Sequence, residues 1–148
     1  MNILFICTGN TCRSPMAEYI FNKRVQDIKD KNIVAKSCGI LAKGEKITEN
    51  SVHVMNEIDI DIKGYKSKNW SEEIFDWADI ILAMGRSHIN FVKNHGYKNK
   101  VYMLREFAIG EEGEILDPYG MDLNQYRKCR DELIFLIDKI LENNELNY

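Results

Sequence analysis

The amino-acid sequence predicts an α/β fold: a single three-layer domain in which a parallel sheet carries helices on both faces. Three observations carry that expectation. Short apolar runs of strand length alternate with stretches of helical periodicity along the chain. The strand-like runs are apolar at successive positions, as in strands covered on both faces. The 148 residues suit one domain spanning 1–148, long enough to bury a core without disulfides or metal.

The run Ile3-Leu4-Phe5-Ile6 reads as a fully buried strand. Ser14 and Pro15 then mark a helix start, a hydroxyl N-cap followed by proline at the first helical position. Ala17, Ile20, Phe21, Arg24, Val25 and Ile28 follow at helical spacing and supply its packed face. Residues 33–38 make a second strand, ended by Gly39, and Thr48 or Asn50 opens a helix to residue 58. Ser71 caps a short helix containing Ile74, Phe75 and Trp77. Residues 79–84 form a third buried strand, residues 86–94 a helix, and residues 101–104 a fourth strand. Asp122 starts a long helix whose stripe is Leu123, Tyr126, Cys129, Leu133, Leu136, Ile137, Ile140 and Leu141. No repeat, low-complexity tract or linker interrupts the pattern.

A hydrophobic share of 45% and a charged share of 29% are ordinary for a soluble globular protein. The net charge of −3, with cations scattered among acids, offers no basic face for nucleic acid. The first apolar run is four residues long and lacks a basic lead, so neither a signal peptide nor a membrane span is expected. The four cysteines are read as reduced thiols in the cytoplasm.

The chemistry concentrates in Cys7-Thr8-Gly9-Asn10-Thr11-Cys12-Arg13-Ser14, between the first strand and the first helix. A loop entering a helix start aims unpaired backbone N–H groups at one point, and the helix adds partial positive charge there. Such a loop suits a phosphate dianion, and the same field favours thiolate at Cys7. Gly9 is expected at positive φ, and Asn10 tolerates the same geometry while its amide braces the loop. Arg13 offers a planar fork for two phosphate oxygens, and Ser14 can donate to the Cys7 sulfur. Thr8, Thr11 and Cys12 complete the candidate phosphate-binding set.

A thiolate attacking phosphorus needs a proton donor for the leaving group. Asp117, in Leu116-Asp117-Pro118-Tyr119-Gly120, is the best candidate. Pro118 and Gly120 suggest a tight turn that aims the carboxyl, with Tyr119 as a pocket wall. Spacing alone leaves open a turn-initiating Asp that only caps backbone.

Together the two segments resemble the low-molecular-weight protein tyrosine phosphatase family, which pairs an N-terminal Cys-x5-Arg-Ser loop with a distant Asp-Pro acid loop. The likeness spans nearly the whole chain, including Ser37-Cys38-Gly39 and the strand from Asp79 to Met84. It implies a four-stranded parallel sheet, Cys7 as nucleophile, Arg13 as transition-state clamp and Asp117 as general acid and later base. It implies no metal or other cofactor, and phosphorylated proteins as substrates. Within the family, the stretch from Cys7 to Glu18 is most similar to bacterial protein arginine phosphatases. Thr11 stands where tyrosine-directed members usually have an aliphatic residue. Its hydroxyl suits a polar guanidinium, unless it is a neutral β-branched filler. The single aromatic at Tyr119 points the same way, and the segment from Asp117 to Leu133, with Tyr126 and Arg130-Asp131-Glu132-Leu133, also resembles those enzymes. Residues 40–46, the expected opposite wall, contain no aromatic and fit neither subgroup.

The expected activity is therefore phosphoarginine dephosphorylation through phosphocysteine, with phosphotyrosine as the alternative substrate. A silent phosphate-binding or phosphocysteine carrier domain is a further alternative, disfavoured by Asp117. Cys12 is either a redox partner for Cys7, as the resemblance implies, or a small plug under the loop. Cys38 and Cys129 are expected in the core. An arsenate-reductase relay would need a close cysteine pair after the third strand, and residues 84–100 contain no cysteine. His53, His88 and His95 show no ligand spacing and are expected at the surface; Trp70 and Trp77 are expected to pack. Residues 63–68 read as a solvated loop, and a monomer is expected.

Overall fold

A computed structural model describes residues 1–143. Its elements, in chain order, are β1 (Asn2–Cys7), α1 (Arg13–Asp27), β2 (Val34–Gly39), α2 (Glu49–Asn56) and α3 (Glu72–Trp77). They continue with β3 (Ile80–Ala83), α4 (Arg86–Asn94), β4 (Val101–Met103), α5 (Leu104–Ile109) and α6 (Leu123–Glu142). The strands form one parallel sheet in the order β2-β1-β3-β4. Neighbouring residues of β1 point to opposite faces, as the pleat requires. Ile3 and Phe5 pack with Met16, Ile20, Phe21, Leu136 and Ile137 of α1 and α6. Leu4 and Ile6 pack with Phe75, Ile89 and Val92 of α3 and α4. Both faces are buried, which is why the strands read as unbroken apolar runs. No helix among the described residues is long and apolar enough to cross a membrane.

Several elements depart from the sequence expectation. The first helix ends at Asp27, and Ile28, its C-cap, is exposed. Ser14 is not the N-cap: α1 begins at Arg13, with Cys12 in the cap position and no side-chain cap. Pro15 still fits, because N–H groups in a first helical turn have no helical partner. Leu104 leaves the fourth strand and opens α5, whose six residues are too short to show a period. Residues 63–68 are not simply solvated, since Tyr65 and Ser67 are buried and Lys66 bridges to Lys46. Trp70 packs against Phe75 and Phe91, as expected of a packing residue.

His88 is the largest departure. It is buried on α4, 2% exposed, beside Ile89 and Val92. Its Nε2 lies 2.9 Å from the Thr8 hydroxyl, tying α4 to the loop after β1. Its Nδ1 has no hydrogen-bond partner among the described residues. Burial and then the Arg13 charge push the imidazole down to about 4, against a weaker upward pull from Glu114 and Asp117. An imidazole that is harder to protonate folded than unfolded destabilises the fold as pH falls. The loss should begin near 6.5 and finish near 4, and amount to about 3 kcal/mol. Denaturant unfolding of the wild type and His88→Gln across that range should give stability curves that converge as pH falls. Parallel curves would contradict the assignment.

Candidate active site

Cys7 ends β1, a central strand, and residues 8–12 carry the chain into α1 at the carboxyl edge of the sheet, where ligands of such sheets sit. The left-handed residue is Asn10, at φ +56°; Gly9 is not at positive φ, contrary to expectation. Asn10 holds this geometry because its side chain is fully used. Its Oδ1 accepts from the Tyr65 hydroxyl at 2.5 Å and the Lys68 N–H at 2.8 Å. Its Nδ2 donates to Ser14 Oγ at 2.8 Å and Ser37 Oγ at 3.0 Å. The glycine that matters sterically is Gly39 on β2. A Cβ there would lie 2.5 Å from the Thr8 carbonyl oxygen and 3.0 Å from the Asn10 nitrogen.

The Cys7 sulfur lies 2.8 Å from the Ser14 hydroxyl, which explains why Ser14 does not cap the helix. Burial pushes the Cys7 thiol up. The Ser14 hydroxyl, the Arg13 charge and the backbone N–H groups of Ser14 and Asn10 all act to bring it down. Cys38 and Cys129 are core residues, pushed far above the ordinary thiol range by burial. All four cysteines are free thiols.

Arg13 is buried, yet both ends of its fork are held. Nη1 donates to the Ile115 carbonyl at 2.9 Å, and Nη2 lies 3.5 Å from Asp117 Oδ2. The Ile115 N–H in turn donates to the Met84 carbonyl at 2.8 Å, docking this segment at the end of β3. Asp117 caps its own turn and also faces the pocket. Its Oδ1 accepts from the Tyr119 N–H at 3.1 Å while Oδ2 faces Arg13. The turn closes through Met121 N–H to the Pro118 carbonyl at 2.9 Å, with Gly120 at φ +78°.

A pocket of about 200 Å³ opens over this arrangement, lined by Cys7, Thr8, Gly9, Thr11, Cys12, Arg13, Glu45, Asp117 and Tyr119. Sequences more than a hundred residues apart thus meet at one cavity. Asn10 and Ser14, expected among the substrate-binding residues, are fully buried and do not line it; they brace the loop from behind. Thr11 is fixed through its carbonyl, which accepts from the Thr48 N–H at 3.2 Å and the Ser51 hydroxyl at 3.3 Å at the start of α2. The Cys12 sulfur sits 3.4 Å from the Tyr126 hydroxyl and 3.5 Å from that of Thr48.

Glu45 falls within residues 40–46, the expected opposite wall, but nothing local in the sequence marks Tyr65 or His88 for this site. His88 does share a helical face with Val92, four residues on, which is a signal of burial. Tyr65 and Glu45 reach the site through contacts 55 and 22 residues long in sequence, beyond any local pattern.

The family model described as low molecular weight phosphotyrosine protein phosphatase matches residues 2–147. A protein-arginine-phosphatase of Bacillus subtilis (strain 168) is 36% identical over 143 residues, covering 95% of this chain and 94% of its own. The crystal structure of a low molecular weight protein tyrosine phosphatase from T. tengcongensis is 41% identical, with a TM-score of 0.91 and coverage of 97% and 99%. A structure of a YwlE arginine phosphatase mutant with a phosphorylated active site serine is 34% identical, with a TM-score of 0.92 and coverage of 99% and 97%. The match along almost the entire length shows that this chain belongs to the low molecular weight phosphotyrosine protein phosphatase family.

Proposed function

We propose that this protein is a cysteine-dependent phosphoprotein phosphatase that removes phosphate from phosphoarginine. The observation that carries the reading is the shared pocket: the Cys7 sulfur at its floor, the Arg13 fork beside it, and the Asp117 carboxyl 3.5 Å from that fork. Family membership supports the reaction class, and the relatives named as arginine phosphatases support the substrate.

In the first step, the Cys7 thiolate attacks phosphorus in line, forming an S–P bond as the N–P bond breaks. Arg13 uses one N–H on Ile115 and has others left for the equatorial oxygens, alongside the loop amides. Protonated Asp117 gives its proton to the departing guanidine nitrogen, so that arginine leaves as a guanidinium. In the second step, ionised Asp117 takes a proton from water. That water attacks phosphorus, the S–P bond breaks, and phosphate leaves with Cys7 again a thiolate. Ser14 is placed to stabilise that thiolate at both ends of the cycle. Attack needs Cys7 reduced, a state that a cytoplasmic setting maintains. Cys12 plugs the loop in this state, and pairing with Cys7 would require it to leave Tyr126 and Thr48.

Thr11 supports phosphoarginine over phosphotyrosine. Thr11 lines the pocket and carries a hydroxyl, and a guanidinium without partners is costly to bury. Phosphotyrosine is the second reading, favoured by the 41% identity to the tyrosine phosphatase from T. tengcongensis.

Assays on phosphoarginine and phosphotyrosine peptides of one flanking sequence should give a higher kcat/KM for phosphoarginine; the reverse order would favour the second reading. Thr11→Ile should move the ratio toward phosphotyrosine by about tenfold or more, and an unmoved ratio would remove Thr11 from specificity. Asp117→Ala should lower kcat by about 10²–10⁴-fold on either peptide. The loss should shrink for an aryl phosphate whose leaving group needs no proton; an equal loss there would deny Asp117 the acid role.

A further inference from the structure

We infer that Glu45 is a specificity-determining residue, whose carboxylate selects a substrate with a cationic leaving group; this rests on the phosphoarginine reading above. Glu45 comes from the segment after β2 and joins the lining of the Cys7 pocket, with Thr11 and Asp117. It sits on an exposed stretch, but its backbone is pinned. Its N–H donates to Ser67 Oγ at 2.8 Å, and its carbonyl accepts the Ser67 N–H at 2.8 Å. The next residue, Lys46, bridges antiparallel to Lys66, and Ile47 N–H donates to the Tyr65 carbonyl at 3.3 Å. Tyr65 is the residue that braces Asn10, so this wall and the phosphate loop are fixed to the same support. Among the described residues, the Glu45 carboxylate makes no hydrogen bond or ion pair.

A carboxylate at the rim of a phosphate pocket is unfavourable for a phosphate dianion taken alone. With a neutral leaving group, a phenyl ring included, nothing offsets that repulsion. A phosphorylated guanidinium differs, because its remaining nitrogens carry N–H donors and positive charge. The same carboxylate then accepts from those nitrogens and attracts them. The other pocket groups do not read the charge of the leaving group. Arg13 and the loop amides address phosphate, which both substrates share, and the Thr11 hydroxyl has no charge. Asp117, protonated in the first step, contributes none at that moment. Glu45 is the standing negative charge in the lining, and it supplies the recognition that an aromatic-free wall leaves unassigned.

The test is steady-state kinetics of wild type, Glu45→Gln and Glu45→Lys on paired phosphoarginine and phosphotyrosine peptides. Glu45→Gln should raise KM for phosphoarginine about three- to fivefold, with kcat little changed, since exposed charge pairs act at this scale. It should lower KM for phosphotyrosine, so that the ratio of kcat/KM values moves by roughly tenfold. Glu45→Lys should move the ratio further in the same direction. Parallel changes on both peptides, or an unmoved ratio across the series, would overturn the assignment. A wild type active on phosphotyrosine but inactive on phosphoarginine would instead remove the parent reading, and this one with it. Loss of KM selectivity in the variants of an arginine-active wild type marks the expected result.

Discussion

A loop that turns its amides inward must leave something polar behind it, and burial makes that unpaired polarity expensive. Here the difficulty is met by one side chain. Asn10 uses both lone pairs and both amide hydrogens on Tyr65, Lys68, Ser14 and Ser37, the full capacity of its amide. Those four partners come from three other parts of the chain: α1, β2 and the segment after α2. With all four bonds in place, the left-handed turn at Asn10 persists and the loop keeps its curvature. Gly39 then allows the loop to lie against β2 at a distance no other residue permits. The pocket is rigid because its rear is a closed polar network.

The electrostatics follow from that frame. Desolvation works against a thiolate at Cys7, and every group set against desolvation is a fixed part of the same network or of α1. Arg13 links the two halves of the site. One arm grips the Ile115 carbonyl and the other faces Asp117, so the same guanidinium also locates the carboxyl. The Arg13–Asp117 contact is half in solvent and contributes little to stability; its value is positional. Asp117 stays accessible to a substrate because Pro118 and Gly120 hold the turn without burying it.

Much of this was legible in the sequence where the signal is local. The apolar run before Cys7, the spacing to Arg13 and the Asp117-Pro118 turn all fix geometry within a few residues. The sheet followed from alternating periods, and the four strands and the long helix from Asp122 lie where those periods put them. What failed was non-local or too short. Ser14 reads both as a helix cap and as a partner of Cys7; only the second holds, because the helix begins one residue earlier, at Arg13. Tyr65 lies in a lysine-rich stretch that reads as solvent-facing, and its burial comes from Asn10 and Ser37. His88 has a polar label, yet its partner Thr8 is 80 residues distant. Residues 40–46 are the expected pocket wall and Glu45 does line it, but the pairing with Ser67 that holds it there spans 22 residues.

The claim on which the rest depends is that phosphorus passes through the Cys7 sulfur. Rapid acid quench during turnover of a phosphoarginine peptide, followed by mass spectrometry of the protein, tests it directly. One phosphoryl group should be found on Cys7, formed and lost at rates compatible with turnover. Steady release of phosphate with Cys7 unmodified throughout, or the phosphoryl group on another residue, would contradict the account.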